Sequence, residues 1–152
     1  MPVTTIAVSD LPNRVGEALG PGPWHQVTQE QIDMFADATG DHQWIHVDRE
    51  RAKAGPFGTT IAHGYLTLSL LPTLMPQILS VGRVKMGINY GVNKVRFPAP
   101  VPAGSNVRVA AKILSVEPVA GGAFQVVTEC TIERDGGDKP VCVAETVSRY
   151  YG

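Results

Sequence analysis

Residues 65–79 constrain this chain more than any other segment: they are apolar almost all round, with Thr67, Ser69 and Thr73 the only small polar interruptions. A helix without a polar face has to be covered by protein or by lipid. The stretch is too short to span a bilayer and carries Pro72 and Pro76, so it belongs inside a soluble fold. Each proline removes a backbone hydrogen bond and predicts a bend.

The cover comes from downstream. Residues 83–90 and 93–97 read as extended, and Pro98-Ala-Pro-Val-Pro102 as a rigid connector. Val107, Val109, Ala111 and Ile113 alternate with Arg108, Ala110 and Lys112. The same period of two runs through Phe124, Val126, Thr128, Cys130 and Ile132, and again from Val141 to Ser148. Turn signals at Ala120-Gly-Gly and at residues 135–140 separate these runs, and links this short predict antiparallel pairing. Upstream, residues 1–27 read as a lead-in segment, with a short helix at residues 15–19 ended by Gly20 and a short strand at residues 24–27. Thr28-Gln-Glu-Gln31 fits a capping box, Ile32, Phe35, Ala36 and Thr39 recur at helical spacing, and Gly40 stands at a left-handed stop. A second short helix is expected from the Asp48 cap to Ala54. One long buried helix followed by an antiparallel sheet curled around it outlines an α+β, hot-dog fold. At 152 residues the chain is expected to form one domain, 1–152.

Composition removes several function classes. A formal net charge of −1 offers nothing to nucleic acid or an anionic membrane. Cys130 and Cys142 lie in apolar runs and read as buried thiols. The four histidines have no partner cysteines and no HExxH arrangement, so no metal is expected. The N-terminus lacks a basic region and a long apolar region, which predicts a cytoplasmic protein.

The chemistry-bearing residues stand close together. Asp41 and His46 share one loop between two helices, and a carboxylate and an imidazole that meet there can grip a water. Histidine exchanges a proton in either direction near neutral pH. Gly64 opens the buried helix, where first-turn amides have no internal partner and the missing Cβ lets a carbonyl oxygen approach. Negative charge that develops on that oxygen is stabilised there. For an α,β-unsaturated thioester, attack at C3 pushes charge onto the thioester oxygen as an enolate, so these three groups suffice for reversible hydration without metal or redox cofactor. Taken singly, Asp41 reads as a helix-exit residue, His46 as a structural histidine, His63 as a cap or brace for the helix, and Gly64 as a glycine that serves only close packing.

The run Phe35-Ala-Asp-Ala-Thr-Gly-Asp41-His-Gln-Trp-Ile-His46-Val-Asp48, then Gly55-Pro-Phe-Gly-Thr-Thr-Ile-Ala-His63-Gly64, resembles the MaoC-like, R-specific enoyl-CoA hydratase family. Its motif has the form D-x-N-P-x-H, followed after a gap by a small residue, His and Gly. Lys94-Val-Arg-Phe-Pro98-Ala-Pro-Val101-Pro-Ala-Gly104 is similar to the family's strand and turn after the helix. The resemblance implies a hot-dog homodimer that hydrates trans-2-enoyl-CoA to (R)-3-hydroxyacyl-CoA, or dehydrates that product, in fatty-acid metabolism. It implies catalytic roles for Asp41 and His46 and an oxyanion role for the Gly64 amide. Substrate is expected beside His63 and, for the coenzyme A or acyl-carrier tail, in a groove near Asn89, Tyr90, Lys94 and Arg96. Two positions depart from the pattern: Gln43-Trp44 replaces Asn-Pro, and Pro72 stands where relatives often place a helix serine. The rival readings are a thioesterase and a non-catalytic acyl-thioester binding protein.

Overall fold

The computed structural model describes residues 3–152; Met1 and Pro2, the start of the expected lead-in segment, lie outside the described residues. Near the N-terminus the chain forms strand β1 (Thr4–Ala7) and a 3-10 helix (Val8–Arg14) before a two-residue strand β2 (Ala18–Leu19). The helix expected at residues 15–19 is therefore absent. Gly16 takes a left-handed φ of 88° and turns the chain, and Leu19 then pairs with Ala111 of the sheet. Strand β3 (His25–Gln26) replaces the longer strand expected over residues 24–27.

Helix α1 (Gln29–Thr39) follows the sequence signals closely. The Thr28 side chain accepts from the Gln31 N–H, and Gly40 closes the helix at φ 81° with its N–H donating to Ala36 O. Two short helices follow, α2 (Trp44–Val47) and α3 (Arg49–Lys53), the latter capped by the Asp48 side chain.

The expected long helix is broken into pieces: α4 (Gly64–Ser69), α5 (Leu71–Leu74) and a 3-10 turn (Met75–Gln77). Pro72 and Pro76 have no N–H to continue the ladder, and the chain tightens around them. Leu70 and Thr73 each bond the carbonyl three residues back, at 3.2 and 2.9 Å. Leu79, expected in the helix, opens strand β4 (Leu79–Gly82), which pairs in parallel with β1. Nor is the segment covered on every side. Leu66, Leu70, Leu71, Leu74 and Ile78 are buried, while Tyr65, Ser69, Pro72, Thr73 and Pro76 form an exposed stripe.

The sheet consists of β5 (Met86–Arg96), β6 (Asn106–Val119), β7 (Ala123–Arg134) and β8 (Cys142–Tyr151), with β2 and β3 on the outer edge of β6. Its order is β2-β6-β7-β8-β5, and every pairing within it is antiparallel. The two strands expected at residues 83–90 and 93–97 are one strand. Bulges between Asn89 and Gly91 and between Val92 and Lys94 absorb the break in pattern. Alternation in β6 and β7 turns Val107, Val109, Ile113, Val126, Cys130 and Ile132 into the core; in β8 the inward set is Cys142 and Ala144, then Val147. The apolar faces of α4 and α5 pack with this sheet face in one cluster, the hot-dog arrangement.

Candidate active site

Asp41 follows the Gly40 stop of α1, so the end of that helix determines where its carboxylate starts. The carboxylate is exposed, and its Oδ1 accepts the Gln43 N–H at 3.4 Å, turning the chain into α2. His46, expected on one loop with Asp41, lies instead on the short helix α2, with only 7% of its surface exposed, and its Nδ1 donates to Ile61 O at 2.7 Å. Burial holds the imidazole below its ordinary pKa; the Ile61 bond and the Asp41 charge oppose this, and the neighbouring His63 adds to it. His46 is thus neutral near pH 7, with Nε2 free to accept a proton.

His63 occupies the N-cap position of α4 but makes no capping bond with its side chain. Its Nε2 donates instead to Asp41 O at 3.0 Å, so it braces the Asp41 loop rather than the helix it precedes. The His46 and His63 rings stack at 3.9 Å and 24°. One ligand atom from each of Asp41, His46 and His63 lies within 4.8 Å of the others. The fold has gathered residues that span 22 positions of sequence. Gly64 begins α4, where by position its amide has no carbonyl partner within the helix. Gly64 and His46 line one cavity of about 320 Å³ with Phe57, Thr67, Phe97 and Val141.

Asn89 and Tyr90 line a different, larger cavity of about 530 Å³, between the exposed stripe of α4 and α5 and strands β5 and β8. Leu68, Ser69, Pro72 and Met75 form its helical wall. The Tyr90 ring carries the Arg149 guanidinium 3.7 Å from its centroid. Lys94 and Arg96 are exposed on β5 and line neither of these cavities. Ser69, the hydroxyl nearest Pro72 in sequence, donates to Tyr65 O at 2.7 Å.

Two supporting residues escaped the sequence reading. Gln29 is buried and its Nε2 donates to His46 O at 2.8 Å, while its Oε1 accepts from the Thr60 hydroxyl. Its signal was visible: a polar residue on the stripe of Ile32 and Ala36. Phe97 lies against Gly64, so that a Cβ there would come within 2.9 Å of the ring; no local pattern points to that contact. Cys130 and Cys142 are free and buried, and burial pushes both thiols up to about 11, which removes them as nucleophiles near neutral pH.

Residues 10–134 match the family described as MaoC like domain. The 3-hydroxyacyl-thioester dehydratase Z of Mycobacterium tuberculosis is 56% identical over 144 residues, covering 95% of this chain and 95% of that protein. Nodulation protein N of Rhizobium leguminosarum is 44% identical over 149 residues, covering 94% and 90%. Among solved structures, the (R)-hydratase from A. caviae matches with a TM-score of 0.68 at 23% identity, over 88% of this chain and 94% of that one, a likeness of fold. The match over residues 10–134 and the 56% identity place the chain in one family: it belongs to the MaoC-like family.

Proposed function

We propose that this protein is an (R)-specific enoyl-thioester hydratase and 3-hydroxyacyl-thioester dehydratase. The observation that carries the reading is His46: its Nδ1 proton is committed to Ile61 O, which leaves Nε2 as the acceptor, in a ring with a nitrogen within 4.8 Å of an Asp41 carboxylate oxygen. A water held by these two acceptors points its oxygen lone pair outward. Its oxygen adds to C3 of the enoyl thioester while one acceptor takes a proton, and the electron pair of the double bond moves onto the thioester oxygen as an enolate. The Gly64 N–H stabilises that oxygen. The enolate collapses as the same acceptor returns its proton to C2, and one water has been added without a cofactor. Dehydration is the reverse. The R hand is the one the family resemblance implies, and the name of the 56% identical relative supports the thioester dehydratase chemistry.

The two cavities share α4, the smaller through Gly64 and Thr67 and the larger through Leu68 and Ser69. That apolar space supports a medium or long acyl chain, on coenzyme A or an acyl carrier. No described helix is long and apolar enough to cross a membrane. The free thiols Cys130 and Cys142 support a cytoplasmic setting.

The test follows enoyl absorbance across an enoyl-CoA chain-length series, with chiral analysis of the product. Asp41→Asn and His46→Gln are each expected to lower turnover by roughly two to four orders of magnitude with the fold intact. Near-normal rates in both variants end the reading. Release of free thiol identifies a thioesterase instead, and tight acyl-CoA binding with no change in absorbance identifies a binding protein. A strict preference for crotonyl-CoA overturns the chain-length part alone.

A further inference from the structure

A carbonyl oxygen only accepts hydrogen bonds, and this sets the tautomer of both buried imidazoles. His46 Nδ1 faces Ile61 O at 2.7 Å and His63 Nε2 faces Asp41 O at 3.0 Å, so these nitrogens carry the protons. In the neutral form of an imidazole the other nitrogen is a bare lone pair. For His63 that atom is Nδ1, buried and without a hydrogen-bond partner in a residue only 2% exposed. Leaving such a group unpaired is costly. One ring nitrogen of His46, one of His63 and one carboxylate oxygen of Asp41 lie within 4.8 Å of one another.

Two imidazoles and a carboxylate gathered this closely suit a borderline-soft divalent cation. The surroundings match as well. Metal-binding histidines commonly donate their second N–H to a backbone carbonyl or a carboxylate, which orients the ring, and both rings already do so. Tetrahedral zinc holds its ligand atoms about 3.3 Å apart, so the cluster has to close slightly. Asp41 is the member able to move, since its side chain is exposed while both imidazoles are packed.

We propose that Asp41, His46 and His63 form a three-ligand site for a divalent transition-metal cation of the zinc type, which takes the place of the reacting water and inhibits the enzyme. The metal is a competitor, not a cofactor. The inhibition rests on the hydration reading above; the binding does not.

The experiment titrates EDTA-stripped, dialysed protein with zinc chloride by calorimetry, and with cobalt(II) by visible absorption, both without substrate. Expected are one equivalent per chain and a cobalt spectrum of low coordination number that zinc bleaches. His63→Gln is expected to bind roughly tenfold or more weakly. His42→Gln, which removes an exposed imidazole paired with Asp37 at 2.9 Å, leaves binding unchanged. Should His63→Gln fail to fold, the exposed Asp41→Asn serves in its place, with the same expected loss. Absence of saturable binding in the wild type, or equal binding by wild type and these variants, overturns the site. Zinc-loaded protein is expected to lose enoyl-CoA hydration and regain it with EDTA; full activity at saturation overturns the inhibitory role. A protein with no hydration activity at all sinks the hydration reading, while calorimetry and the cobalt spectrum still decide the site.

Discussion

Gln29 shows how much of this site depends on a residue that takes no part in the chemistry. It sits on the buried face of α1 with Ile32 and Ala36, where an amide is out of place unless it is fully paired. It is paired: it accepts from Thr60 and donates to the carbonyl of His46 and to the carboxylate of Asp33, the latter at 2.8 Å. Gln29→Leu strands the Thr60 hydroxyl and the His46 carbonyl in the interior. A loss of about 1–3 kcal/mol is expected by denaturant or thermal unfolding; an unchanged midpoint would show that the network is idle. The Gln43-Trp44 departure also has a physical account. Trp44 is the first residue of α2, where proline is favoured because its fixed φ suits a helix start. Here the stiffening comes from packing: the Arg51 guanidinium lies 4.4 Å from the Trp44 ring centroid, and Gly55 leaves room for the indole, where a Cβ would come within 3.0 Å.

At the level of elements, the buried segment matters less as one helix than as a set of short pieces that end where the site needs them. Proline positions 72 and 76 were readable as bends, but not as the change from helix to strand at Leu79. That change depends on β1, seventy-odd residues earlier, which offers β4 its partner at Thr4 to Leu79. Gly64 starts α4 with Phe97, the residue after β5, packed over it. Gly64→Ala sets a methyl group within 2.9 Å of that ring and in the approach to the first-turn amide. Since Phe97 is 39% exposed, its ring has room to tilt and the fold is expected to survive. Steady-state assays should show kcat lowered by about tenfold or more, the lower range for damage to an oxyanion donor. A rate equal to wild type removes Gly64 from the mechanism.

On the scale of the molecule, β5 is the anomaly. It lies at the end of the sheet and, among the described residues, pairs only with β8, and Met86, Ile88, Tyr90 and Val92 are all exposed along it. An edge strand of eleven residues with this surface invites pairing. The exposed stripe of α4 and α5 faces the same cavity as β5, so an apolar helix face and an apolar edge are left open together. The homodimer that the family resemblance implies would cover both. Size-exclusion chromatography with light scattering should give twice the chain mass, and Ile88→Lys should shift it toward one. A wild-type protein that elutes as a folded monomer rejects this assembly.

Local chemistry in the sequence determined the caps of α1, the alternation of β6 and β7, and the antiparallel order that short links require. These depend on neighbours a few residues away, and such neighbours are visible in a string of letters. The broken form of the apolar segment, the single β5 with its bulges, the Gln29–Thr60 support and the contact of Phe97 with Gly64 were decided by tertiary structure, because each needs a partner that packing alone brings near. His63 belongs with them. Its place before Gly64 suggests a cap; only the folded chain turns it onto Asp41 and stacks it on His46, leaving a buried nitrogen bare. The apolar run at residues 65–79 did demand a covering sheet, but which side of it stayed open was a matter of where the sheet ended.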